Sequence, residues 1–147
     1  MARILTAVAP DAEERIRRIL TGHELVFVDD LRSAEAALEN LQSLKLIFVG
    51  ARFDESRMFD LLDYIRTNVE HRKIPVVAAI VGTSSMRPST VSGLAHATKV
   101  FGASLFINLN DFADHDRENA RLRLVVEALV LPPDVVPVIV EAISPRS

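Results

Sequence analysis

The chain has 147 residues, 49% of them hydrophobic and 25% charged, with 17 Lys and Arg against 20 Asp and Glu for a net charge of −3. That length suits one domain with a sizeable core, and the apolar content excludes a disordered chain. The basic residues form no run, which excludes the cationic stripe that a nucleic-acid backbone needs, and the absence of cysteine excludes disulfides, thiol catalysis and thiolate metal sites.

Residues 3–9 are an apolar run that predicts a buried first strand, ended by Pro10. The run is too short, and too soon broken by Pro10 and Asp11, for a signal peptide. Asp11 is placed to cap a helix, with Glu13 and Glu14 in its first turn and Ala12, Ile16, Ile19 and Leu20 at helical spacing. Thr21 and Gly22 close it. Residues 25–28 predict a second strand ending at Asp29 and Asp30, and Leu31, Ala34, Leu38 and Leu41 stripe a second helix. The third unit is central to the chain. Leu46, Ile47, Phe48 and Val49 predict a buried strand that stops at Gly50, crosses a charged loop and enters a helix carrying Phe59, Leu61, Leu62, Ile65 and Val69, as far as about His71.

Residues 74–81 are almost wholly apolar and β-branched, as in a central strand covered on both faces. The polar stretch 82–93 predicts a loop leading into a fourth helix through Val100, weakened by Gly93, Val91 and Thr98. Gly102 ends that helix. Residues 104–109 predict a fifth strand, Asn110 and Asp111 a turn, and residues 114–130 a last helix stopped by Pro132 and Pro133.

Strands alternating with helices across short connections predict a doubly wound α/β domain of the flavodoxin-like kind, a five-stranded parallel sheet between two helix layers. It spans residues 1–131. The tail, 132–147, is apolar from 135 to 143 and is expected either to pack on the domain's own surface or to serve as an extra edge strand or interaction arm. No stretch reaches the roughly 18 apolar residues of a membrane span. A cytoplasmic protein with no membrane contact is expected.

Candidate chemistry is sparse. His23, His71, His96 and His115 lie far apart, none at metal-ligand spacing, and are expected at exposed loops or helix ends. There is no nucleophile elbow, phosphate-cradling glycine loop or dinucleotide fingerprint. The Ser/Thr-rich stretch 83–92, Thr83 and Ser84 included, offers donors that suit an anion, although such a stretch is more often a plain loop.

The order of elements over residues 2–131 resembles the receiver domain of two-component response regulators. The likeness is carried by the ungapped segment GARFDESRMFDLL, where Phe59, Asp60, Leu61 and Leu62 match the family's Phe-Glu-Leu-Leu. Ile74-Pro75-Val76-Val77 is similar to the start of its fourth strand, and Gly102-Ala103 with Phe106 to the entry to its fifth. The resemblance implies a phosphorylation site, and this chain departs from it at every position. Gly50 stands where receivers carry the phosphorylated Asp, and Val8 and Ala9 stand where they carry the acidic pair that holds magnesium. Ile80 falls near the hydroxyl position, Leu109 on the lysine, and Asn110 on the proline after it. Phe106 matches the aromatic that changes rotamer on activation, and is expected here to be a fixed packing residue.

The resemblance therefore implies a pseudo-receiver, a non-enzymatic signalling module without metal or cofactor, acting by contact with another signalling protein or with itself. In receivers the fourth helix, fifth strand and fifth helix form the usual partner face. On the last helix, Ala120, Leu124, Val125 and Ala128 are expected to face the sheet, and Leu122, Val126, Leu129 and Val130 to form an apolar interaction face. Two alternatives stand beside this expectation. One is a small ligand-binding or enzymatic flavodoxin-like domain using a cavity at Gly50 and the 83–92 loop; the other is a response regulator with Asp54 as an unusual acceptor.

Overall fold

The computed structural model describes residues 1–82 and 86–130, so Thr83, Ser84 and the tail 132–147 lie outside the described residues. Five strands form one parallel sheet: β1 (Arg3–Ala7), β2 (Glu24–Val28), β3 (Leu44–Gly50), β4 (Val76–Ile80) and β5 (Leu105–Asn108), in the order β2-β1-β3-β4-β5. The connecting helices are α1 (Glu13–Ile19), α2 (Leu31–Asn40), α3 (Met58–Arg66), α4 (Pro88–Val100) and α5 (Asp116–Glu127). The doubly wound architecture expected from the alternation of patterns is the observed one.

Two apolar layers hold the sheet. On one face Ile16 and Ile19 of α1 and Leu122 and Val126 of α5 pack on Ile4, Phe48, Val77 and Ile107. On the other, Ala34 and Leu38 of α2 and Leu61, Leu62 and Ile65 of α3 pack on Leu5, Ile47, Val49 and Ala78, and Leu94 of α4 adds to them. β3 and β4 are covered on both sides, which is why residues 46–50 and 76–80 are buried without a break.

Several local expectations are corrected. Asp11 makes no capping bond; Pro10–Ala12 form a 3-10 turn that leads into α1. Asp30 does cap, its Oδ1 accepting from the Ser33 amide at 2.7 Å. α3 ends at Arg66, short of His71, although the apolar spacing continues to Val69. The Asn68 side chain accepts from the amides of Glu70 and His71, and this local turn starts a separate 3-10 turn at His71–Lys73. α4 begins at Pro88, inside the stretch expected to be loop, because a proline suits a first helical position.

Candidate functional site

In a parallel sheet the loops after the strands converge at one end, and there the matched positions meet. Val8, directly after β1, is fully buried, and a Cβ added at Gly50, the last residue of β3, would lie 3.5 Å from its Cγ1. Ile80 ends β4 at 3% exposure, and Leu109 follows β5 at 1%. Ala9 is half-buried beside them. These five residues lie at the strand ends, and their side chains offer no oxygen ligand, nucleophile or ammonium.

The charged groups sit further out, on the rim. Arg52, in the loop after β3, reaches the β1–α1 loop, where its Nη1 donates to Asp11 Oδ2 at 3.3 Å. The same Nη1 closes over the loop after β4, only 3.0 Å from where a Cβ on Gly82 would stand, and at φ +128° that position also favours glycine. Both partners are about half-exposed or more, so the pair contributes little stability; its effect is to hold a fixed positive charge across the mouth of the site. Sequence patterning gave no signal for Arg52, because an isolated arginine in a polar loop is ordinary.

The carboxylates nearby are turned to other work. Asp54 Oδ2 accepts from the Leu31 amide at 2.7 Å and so caps α2 from a neighbouring loop. Asp54, Glu55 and Ser56 all have positive φ, at 44°, 53° and 72°. That left-handed turn aims the Asp54 carboxylate at α2. A shallow cleft of about 470 Å³ between Ala9, Asp29, Arg52 and Asp54 is what remains open. Among the described residues, no three His, Asp or Glu side chains come together to hold a metal ion. Magnesium takes about six oxygen ligands in near-octahedral order, so the residues present do not fit the cation that the receiver resemblance implies.

The expected interaction face is corrected on α5. Leu122 and Val126 are each 2% exposed and face the sheet, while Leu124 is 42% exposed. The helix starts at Asp116, capped by His115, and docks through Asn119, Leu122 and Val126 in i, i+3, i+7 register, so Leu122 and Val126 belong to the core. Ala128 is buried as expected, Leu129 is half-buried and Val130 is 36% exposed. His23 and His71 are also mostly buried, whereas His96 and His115 are exposed as expected.

An apolar groove of about 580 Å³ does lie between α4 and α5, with the four residues of β5 along its floor. Val91 and Ala95 form one wall, Val125 and Leu122 the other. Phe106 lines it while packing into the α3–α4 layer. Asp111 and Arg121 also line it, adding one charge of each sign.

No family model and no curated protein matches the sequence. Solved structures do match its fold. A response regulator from Hahella chejuensis superposes with a TM-score of 0.68 at 19% identity, over 88% of this chain and 96% of that one. The Mn(2+)-bound form of response regulator Rcp1 gives 0.66 at 18%, over 90% and 99%. NtrX from Brucella abortus, in complex with ADP, gives 0.66 at 28%, over 97% of this chain but only 29% of that longer protein. The architecture of this chain is the receiver fold.

Proposed function

We propose that this chain is a signalling module of the two-component, response-regulator type that is not phosphorylated and acts by contact with another signalling protein or with a second copy of itself. One observation carries this reading: Val8, Ala9, Gly50, Ile80 and Leu109 occupy the strand ends with apolar or absent side chains. Phosphoryl transfer to a protein needs an oxygen nucleophile, a divalent cation on oxygen ligands and positive charge on the moving phosphoryl oxygens. The five strand-end side chains supply none of these, and the positive charge at their rim, Arg52, is already paired with Asp11. Asp54, the alternative acceptor, has a carboxylate oxygen committed to the amide of Leu31.

The apolar groove between α4, β5 and α5 supports the second half of the reading, because it is an open apolar concavity of about 580 Å³ that a partner's apolar side chains suit. The module is not an enzyme in this account. Incubation with magnesium and acetyl phosphate, followed by intact-mass measurement, tests it. The expected spectrum is that of the unmodified chain; a stable adduct of one phosphoryl group, on Asp54 or elsewhere, would overturn the reading.

A further inference from the structure

A pocket of about 360 Å³ lies at the opposite end of the sheet from Gly50 and Ile80, where the end of α3, the turn His71–Lys73, the start of β4 and the residues after α4 meet. Its apolar lining is Leu62 and Ile65 from α3, Ile74 and Val76 at the start of β4, and Phe101 after α4. Leu62, Ile65 and Val76 are at most 3% exposed, so this lining is a fixed surface of the core. The charged side chains around it are Arg66, Arg72 and Lys73, all of one sign. An apolar hollow with a few converging polar groups is the usual form of a small-molecule site.

The three cations are held differently. Arg66 Nε donates to Asp63 Oδ1 at 3.2 Å, and its Nη1 donates to Val100 O at 3.3 Å. Its guanidinium carbon stands 4.9 Å from the centre of the Phe101 ring. Phe101 is braced in turn by the edge of Phe59, with ring centres 5.0 Å apart. Arg66 and Phe101 therefore form a platform whose geometry is set before any ligand arrives. The bond to Val100 O also offsets the partial negative charge at the end of α4, which would otherwise repel an anion here. Lys73 lies 3.7 Å from Glu70, and both side chains are mostly exposed. With Asp63 beside Arg66 and Glu70 beside Lys73, the surplus among the described residues is the one charge of Arg72.

From these observations we infer that the pocket binds a small organic acid, a single carboxylate on a compact aryl or alkyl body. A surplus of one charge suits a monoanion better than a dianionic phosphate, and the planar guanidinium fork matches a carboxylate. The apolar body displaces water from Ile65, Ile74 and Phe101, and the carboxylate accepts from Arg72, with Arg66 and Lys73 adding attraction. Charge and apolar body are both required, because either alone leaves half of the lining unmatched. The site is separate from the strand ends, so it stands or falls independently of whether they accept a phosphoryl group.

Titration of the 147-residue chain with sodium phenylacetate and with sodium hexanoate, followed by NMR of the backbone amides, tests this. Both acids are expected to shift the Ile74, Phe101 and Gly102 amides saturably, with midpoints at about millimolar concentration for ligands this small. Acetate carries the charge without the body, and phenylacetamide the body without the charge; each is expected to bind at least about tenfold more weakly. Arg72→Gln should weaken phenylacetate by at least about tenfold as well, whereas Arg117→Gln, on α5, should leave it within about twofold. Both arginines are exposed, so neither replacement disturbs the core, and amides distant from each substitution should keep their parent positions. No saturable shift with either acid, binding of acetate equal to that of phenylacetate, equal losses in the two variants, or tighter binding of a hexaglutamate peptide than of phenylacetate would each overturn the inference.

Discussion

Single residues decide what this receiver fold can do at the ends of its strands. Val8 against Gly50 makes a hydrocarbon contact there, and Arg52 holds a positive charge on the rim through its bond to Asp11. Residue identity made the first fact legible in the sequence, since the side chains of glycine, valine and leucine carry no ligand atom. It left Arg52 and Asp54 illegible, because their roles come from a partner 41 residues away for one and 23 for the other. The same holds for Asp114, which Arg18 and then Asn119 hold through side-chain hydrogen bonds, depressing its pKa to about 2. A depressed carboxylate stabilises the fold above its unfolded pKa of about 4 and loses that contribution as pH falls toward about 2. Urea unfolding of the parent should therefore weaken over that window by more than unfolding of Asp114→Asn does. Parallel losses in the two proteins would show that the Arg18 pair contributes nothing.

At the scale of the elements, apolar periodicity located the five strands and five α-helices of the described residues, with the end of α3 and the start of α4 about five residues off, but put Leu122 and Val126 on the wrong side of α5. Leu122, Val126 and Leu129 and the set Leu124, Val125 and Ala128 are both credible stripes on a helix this apolar, and only docking against Ile16 and Ile19 distinguishes them. Leu122→Ala should cost about 2–4 kcal/mol in chemical denaturation, the usual result of emptying a core position. Leu124→Lys should stay within about 0.5 kcal/mol of the parent. Reversed magnitudes would contradict the observed face. The left-handed turn after β3 is a second element the sequence did not announce, since none of its three residues is glycine. Ser56→Gly relieves a positive φ of 72° and should raise stability by about 0.5 kcal/mol, net of the added chain entropy. A lower midpoint in the same titration would mean that the serine side chain contributes more than its backbone costs.

For the molecule as a whole, alternation of strand and helix was enough to predict a doubly wound sheet. The strand order, with β1 between β2 and β3, follows from right-handed crossovers that carry the chain one way over one face and back over the other. Local patterning does not encode that order directly, nor does it say which loops meet across the sheet. Among the described residues no helix is long and apolar enough to cross a membrane. What the assembled molecule offers is a scaffold with the receiver fold, an apolar groove between α4 and α5, and strand ends bare of ligands. The most direct test of that last feature is a manganese titration followed by NMR. If the account is right, added Mn(2+) broadens no signals selectively around Val8, Gly50 and Ala51; saturable broadening centred on those amides would show a bound cation where none should be held.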